Sequence, residues 1–286
     1  MIAPAKLNLC LYLGPRRADG LHEICSLFAP ISLADQLTVS ESTNGGDEVV
    51  CPGVPSPDLT ARALGALRQS GWERPPLRVE VDKRIPVAAG LGGGSADAAA
   101  VLRLAADDLD EDEAIEQIAA QLGADVPSQL HPRFALVGGA GEQVTGVPEP
   151  ESFSVVLIVE REGLSTADVY AEADRLGIAR SGHEVVRMRS MLLAATAGGS
   201  SPLAYGALLV NDLAPAAISL RPSIDGAIDA LVEAGAAHAM VTGSGPTAFG
   251  LFSGNVEAEA AAEQLRAGGR EAIVADSIAI AGWAGS

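Results

Sequence analysis

Lysine is nearly missing from this chain. Of its 19 basic residues only Lys6 and Lys83 are lysines, and the acidic residues number 37, for a formal net charge of −18. A surface so poor in positive charge excludes nucleic acid and anionic membrane as partners. An anionic small molecule would have to be drawn in by local positive charge against the general field. Cysteine is scarce too. Cys10, Cys25 and Cys51 show no metal-ligand spacing and cannot all pair, and only four histidines accompany them. A disulfide framework and a zinc site are therefore not expected, and a reducing compartment is. No apolar run approaches the roughly 20 residues of a membrane span. The Leu7 to Leu13 stretch is short, broken by Asn8 and followed by Arg16 and Arg17, which is not the build of an export signal. The expectation is a soluble, cytoplasmic protein.

What is present in quantity is apolar material and glycine. At 286 residues and 48% hydrophobic, the chain can bury one large or two modest cores. The stretch from Pro86 to Asp97, PVAAGLGGGSAD, stands out. Before it, Leu77 to Asp82 alternates apolar and charged residues, the period of a half-buried strand; after it, Ser95 to Leu109 reads as a helix with Ala98, Leu102 and Ala105 on one face. Strand, glycine loop and helix start aim backbone N–H groups and a positive dipole end at one point, which suits a phosphate. Gly92, Gly93 and Gly94 carry no Cβ, so the backbone can take positive φ and come close to a ligand. A flexible turn is the plainer account. The lysine-bearing P-loop pattern fails for want of a lysine after the last glycine. The dinucleotide fingerprint fails at Ser95 and at Pro86, so the loop suggests a third kind of phosphate site.

Around this loop the chain reads as mixed strands and helices. Ala5 to Leu13 is a strand, with Leu7, Leu9, Leu11 and Leu13 on one side and Lys6, Asn8, Cys10 and Tyr12 on the other. Strands follow at Glu23–Ile31 and Asp35–Glu41, then a turn region to Asp58 and a helix over Leu59–Gln69. The acidic run from Asp110 opens another helix, which Gly123 ends. Asp125 lies between helices in an apolar setting, where either an N-cap or a functional carboxylate fits. A hairpin spans Arg133 to Val147. The Pro148-Glu-Pro150 break marks a boundary, giving domains 1–148 and 149–286. The second half is read as a strand at Ser154–Val159 and helices at Thr166–Leu176, His183–Ala195, Leu203–Leu209, Ala214–Leu220 and Ile224–Glu233. The glycine turn Thr242 to Thr247 follows between strands Ala239–Val241 and Ala248–Phe252, then a helix over Glu257–Leu265 and a last strand, Ala272–Ile280. Without regular βαβ alternation the class is α+β.

Three blocks in order, Pro4-Ala-Lys-Leu-Asn8, Pro86 to Ala96 and Gly243-Ser-Gly-Pro-Thr247, resemble the galactokinase, homoserine kinase, mevalonate kinase and phosphomevalonate kinase superfamily. Arg17-Ala-Asp-Gly-Leu-His22, Gly123-Ala-Asp-Val-Pro127 and Val210-Asn-Asp-Leu213 are similar to its branch acting on a cytidine diphosphate conjugate of methylerythritol. The resemblance implies a two-domain α+β fold. Its N-terminal half would be like ribosomal protein S5 domain 2, and its C-terminal half ferredoxin-like. It implies transfer of phosphate from ATP, with Mg²⁺, to the tertiary 2-hydroxyl of a small-molecule substrate. Asp125 would be the general base and Lys6 the cation that keeps it ionised. Pro86, Val87, Ala88, Ala89, Gly90, Leu91, Gly92, Gly93, Gly94, Ser95 and Ala96, with Lys83, would hold ATP, the N–H groups of Gly90 to Ala96 cradling its phosphates. The metal ligands stay open: Asp97 or Ser95 would be the candidates, with a first-turn acid and a helix cap as equally good accounts of these two residues. Asn8, His22, Thr166 and Tyr170 would bind the acceptor, His22 through the cytosine edge. Leu21 stands where the branch has a tyrosine that stacks on cytosine, and Asp58-Leu59 where it has Asp-Asn-Leu. A sister kinase acting on another small alcohol, and a member that binds without catalysis, are the alternatives.

Overall fold

The structure, a computed structural model, describes residues 1–106, 108, 112–160 and 162–279. Its elements are β1 (Ile2–Arg16), β2 (His22–Glu41), β3 (Glu48–Val50), α1 (Leu59–Gln69), β4 (Leu77–Asp82), α2 (Gly93–Leu102), α3 (Asp112–Leu122), α4 (Val126–Leu130), β5 (Ala135–Gly138) and β6 (Gln143–Gly146). The second half holds β7 (Ser154–Ile158), α5 (Thr166–Leu176), α6 (Gly182–Thr196), α7 (Ala214–Leu220), α8 (Ser223–Glu233), β8 (His238–Val241), β9 (Ala248–Phe252), α9 (Asn255–Ala267) and β10 (Ala272–Asp276). Asp107, Leu109, Asp110, Glu111 and Ile280, which the sequence reading assigned to helix or strand, lie outside the described residues.

Two sheets organise the chain. The first runs β3-β4-β2-β5-β6, with β1 antiparallel to β2; the second runs β10-β7-β9-β8 and is antiparallel throughout. In the second sheet, β7, α8, β8, β9, α9 and β10 follow the split βαβ order of the ferredoxin-like fold. All strands of the first sheet precede all strands of the second. Among the described residues no helix is long and apolar enough to cross a membrane.

Helix α2 is the centre of the first unit. Ala96 to Leu102 are all buried, so beyond its first turn the helix is enclosed by core, Asp97 being the one charged residue in that stretch. Its alanines let α1 and β1 approach closely, which places the helix start, and the glycine loop before it, against β1. The helix is shorter than the sequence suggests: it ends at Leu102 and continues as a 3₁₀ turn over Arg103–Ala105. Arg103 stands at that junction, its guanidinium donating to the carbonyls of Gln129 (2.7 Å) and Ile2 (3.0 Å).

Other expectations need correction. Alternation along β1 breaks at a bulge between Asn8 and Cys10. Lys6 and Asn8 do share a face. Beyond the bulge the phase reverses, so Leu7 and Leu9 join Cys10 and Tyr12 in one core while Leu11 and Leu13 enter another. The two strands expected over 23–41 form one, because Ile2 to Pro4 pairs across their junction with Ala34 to Gln36. Strand β3 was hidden in the turn region; three residues show no period, and the pairing is secured from outside by Asp47. That carboxylate accepts from Arg68 (2.8 Å) and from the Leu77 N–H (2.8 Å). The helix expected over 203–209 is a 3₁₀ segment, Pro202–Leu208, kinked at Tyr205. Gly206 there backs onto the His238 ring so closely that a Cβ would overlap it.

Candidate active site

A cleft of about 680 Å³ opens between the glycine loop, the start of β1, the start of α4 and the start of α5. Its floor is β1. Lys6, buried in a mostly apolar strand, donates from Nζ to Asn8 Oδ1 at 2.7 Å and lies 3.2 Å from Asp125 Oδ2. The Phe28 ring lies 4.7 Å beneath the ammonium and adds a cation–π contact. Asn8 Nδ2 donates to Ser26 Oγ (2.9 Å), which donates in turn to the Cys10 carbonyl. Lys6 and Asn8 share this face by strand alternation, and the bulge after Asn8 turns Leu11 to the cleft as well.

Asp125 holds the N-cap position of α4, yet its side chain makes no capping bond. Its carboxylate turns to Lys6 instead. The capping alternative is therefore excluded.

The glycine loop passes over this floor. Gly92 is left-handed (φ 72°) and a Cβ there would sit 3.0 Å from Lys6 Cγ, so only glycine lets the loop lie on the lysine. The Leu91 carbonyl accepts from the Lys6 N–H at 3.0 Å. No side chain caps α2, so the first-turn N–H groups of Gly93, Gly94 and Ser95 point unclaimed into the cleft. The cradle ends there. Ala96 does not take part, because its N–H donates to the Gly92 carbonyl (2.9 Å) and its side chain is buried in the core.

A carboxylate bridged by a buried lysine, beside a loop of free amides, is an arrangement for moving a phosphoryl group to a hydroxyl. The known proteins similar to this chain agree. The model for the GHMP kinases N terminal domain matches residues 58–138, and that for GHMP kinases C terminal matches 179–271. The chain is 41% identical over 255 residues to 4-diphosphocytidyl-2-C-methyl-D-erythritol kinase of Mycolicibacterium gilvum (strain PYR-GCK), covering 85% of this chain and 79% of that one. With the kinase of the same name from Thermobifida fusca (strain YX) it shares 39% over 283 residues, 93% of this chain and 91% of that one. The chain belongs to the GHMP kinases, in the 4-diphosphocytidyl-2-C-methyl-D-erythritol kinase branch. A crystal structure of 4-(cytidine 5'-diphospho)-2C-methyl-D-erythritol kinase superposes with a TM-score of 0.79 at 33% identity, over 98% of this chain and 99% of that one.

In this GHMP kinase Lys83 lines the cleft but is already engaged. Its ammonium bridges Asp35 (2.5 Å) and Asp97 (2.9 Å), two buried carboxylates. Burial pushes Asp97 up to about 7, against the pull of Lys83. Burial opposes the charge of Lys83 as well, and the two carboxylates outweigh it, so its pKa lies above the usual lysine value. Asp97 Oδ1 has no hydrogen-bond partner. Asp35 was not foreseen. The signal was there: it falls in phase with Leu33 and Leu37, a carboxylate at a core position.

Thr166 and Tyr170, both on α5, face the cleft. Thr166 Oγ1 meets Ser244 Oγ at 2.9 Å, and Tyr170 is pushed up to about 12, by burial first and then by the charge of Asp125. His22 does not line the cleft. Its Nδ1 lies 2.9 Å from the Gly14 carbonyl, and Nε2 is 2.9 Å from Asp174 Oδ1, out of line for a hydrogen bond. Its ring packs on Tyr170, centroids 5.7 Å apart. Leu21 is 54% exposed and also lies outside the cleft. Thr242, missed in the sequence, accepts from the Asn8 N–H at 2.9 Å across 234 residues, a contact no local pattern announces. Among the described residues no cluster of three His, Cys, Asp or Glu could hold a metal by itself.

Proposed function

We propose that this GHMP kinase phosphorylates the 2-hydroxyl of 4-diphosphocytidyl-2-C-methyl-D-erythritol with ATP, a step of isoprenoid precursor synthesis. The observation that carries the mechanism is the Lys6 ammonium between Asp125 and Asn8 on the cleft floor. Asp125 Oδ2 takes the proton of the acceptor hydroxyl as the hydroxyl oxygen bonds to the γ-phosphorus, while the bond from that phosphorus to the β–γ bridging oxygen breaks and ADP leaves. Lys6 orients that carboxylate and offers positive charge where the hydroxyl oxygen and the transferred group meet. Asn8, locked between Lys6 and Ser26, fixes the ammonium in turn. A weak base suffices, because phosphoryl transfer passes through a loose transition state and is driven mainly by positioning and charge stabilisation.

The amides of Gly93 to Ser95 hold the ATP phosphates at the dipole end of α2. Lys83 acts beneath them, fastening Asp97 of α2 to Asp35 of β2. Magnesium, which neutralises phosphate charge when bound with ATP, suits the residues present: it keeps most ligands from water and phosphate and needs few from protein. The Ser95 hydroxyl and the partnerless Asp97 Oδ1 would hold it. On the acceptor side, Thr166, Tyr170 and Asn8 line the wall, while His22, buried outside the cleft, backs the Tyr170 ring instead of meeting the cytosine edge. We also infer that the chain divides at residues 148 and 149, between the last strand of the first sheet and the first strand of the second.

The deciding assay supplies the purified protein with ATP and, separately, the cytidyl substrate, mevalonate, homoserine and galactose. Turnover confined to the cytidyl substrate is expected. Preference for any of the others would replace this reading by the sister-kinase one.

A further inference from the structure

The segment Val210-Asn211-Asp212-Leu213 has no part in the mechanism above, and its two polar residues do different things. Just beyond the β1 bulge it runs alongside that strand: the Leu11 N–H donates to the Val210 carbonyl and the Asp212 N–H to the Leu11 carbonyl, both at 2.8 Å. Asp212 then turns outward, pairing with Arg180 and accepting from the Leu13 N–H at 3.0 Å. Asn211 turns inward. It is buried, and its Nδ2 donates to two carbonyls of the second glycine turn, Val241 and Gly243, each at 2.8 Å, while its Oδ1 accepts from the Leu213 N–H at 2.9 Å.

That turn is a wedge between the two halves of the active site. On one side Thr242 receives the Asn8 N–H, and a Cβ on Gly243 would sit 3.0 Å from Asn8 Oδ1, the atom that holds Lys6. On the other, a Cβ on Gly90 would lie 2.7 Å from the Gly245 carbonyl, so the phosphate loop rests directly on the turn. Ser244 reaches Thr166 on the acceptor wall. Few other side-chain bonds reach the turn. Its backbone is pinned by Thr242 N–H to the Thr247 carbonyl, by Gly245 N–H to the Thr242 carbonyl, and by the two bonds from Asn211.

We propose that Asn211 is a positioning residue for catalysis: by clamping the Val241 and Gly243 carbonyls it sets the distance between the Lys6–Asn8 line and the glycine loop. The residue touches no substrate. Its effect is on geometry, and displacement of reacting groups by an ångström costs on the order of 10²-fold in rate. The inference rests on the kinase reading above.

The test compares neighbours within one motif. Asn211→Asp keeps the shape and the acceptor for Leu213 but sets an oxygen against two carbonyls; Asp212→Asn weakens the outward ion pair and leaves the turn alone. Turnover is measured at a temperature well below both melting points, together with amide hydrogen exchange at Thr242, Gly243 and Gly245. The expected result is a kcat lower by roughly 30- to 100-fold for Asn211→Asp with faster exchange in the turn. For Asp212→Asn, a lower melting temperature is expected with kcat within about twofold of the parent and unchanged exchange in the turn. Should Asn211→Asp fail to fold, Asn211→Ser takes its place and Thr242→Val is expected to match its kcat loss. Equal kcat losses in the two motif variants, or an Asn211 variant that turns over normally, would overturn the proposal. If the parent protein does not phosphorylate the cytidyl substrate, the functional reading falls, and the exchange comparison alone decides this one.

Discussion

Substitution of Gly92 by alanine should separate backbone strain from damage to the catalytic lysine. Two costs arise at this position. The left-handed conformation at φ 72° penalises any residue with a Cβ by about 1–2 kcal/mol. The new Cβ would also sit 3.0 Å from Lys6 Cγ and 3.1 Å from Lys6 Cε, closer than carbon atoms pack, so the lysine has to give by a few tenths of an ångström. The first cost lowers the melting temperature by roughly 2–3 °C for a chain of this size. The second shifts the ammonium relative to Asp125 and should lower kcat by about 5- to 10-fold. Gly71 supplies the control, since it has the same positive φ (89°) with nothing within 4 Å of a Cβ. Gly71→Ala should therefore reproduce the thermal loss and leave kcat alone. Steady-state kinetics and thermal denaturation of both variants make the assay. Equal kcat values for the two would refute the claim that the loop is held to glycine by its contact with Lys6.

Lys83→Met should be the most destabilising exchange near the cleft, by about 3–5 kcal/mol in chemical denaturation, because it strands the buried Asp35 and Asp97 carboxylates without a cation. Asp47→Asn carries a pH signature. The Arg68 hydrogen bonds lower the Asp47 pKa against the effect of burial, so its stabilisation is present above the ordinary carboxylate value and lost as pH falls through the depressed one. The gap in melting temperature between parent and variant should accordingly be open at pH 7 and close on acidification below about 4. For the acceptor wall, Tyr170→Ala should raise KM for the cytidyl substrate, since stacking a base is worth ~1–3 kcal/mol. It should leave KM for ATP unchanged. Equal effects on methylerythritol phosphate lacking the nucleotide would rule out stacking.

The parts of the site legible in the sequence are those where one residue type answers a local demand. The glycine loop announced itself because a backbone that takes positive φ against a neighbour excludes side chains, and Lys6 because it is one of two lysines in the chain and shares a strand face with Asn8. Asp125 was visible as a carboxylate in an apolar setting, though local pattern left capping and catalysis equally open, and only the fold brought it to Lys6. The facing of Leu11 and Leu13 was lost to a bulge, which has no composition signature in this strand. Asp35, Thr242 and Asn211 act across separations that periodicity does not see. The exclusion of Ala96 from the phosphate cradle follows from a helix beginning two residues earlier than its alanine pattern suggested.

The mechanism stands or falls on Asp125. Asp125→Asn preserves the shape of the side chain while removing its capacity to accept a proton or to pair with Lys6, and general base catalysis is worth ~10²–10⁴-fold. The measurement is the kcat of that variant with ATP and the cytidyl substrate, alongside its ATP affinity by calorimetry. A kcat lower by at least about 10²-fold with ATP affinity retained is the predicted result. A variant that binds ATP and turns over near the parental rate would contradict the role given to Asp125, and with it the mechanism.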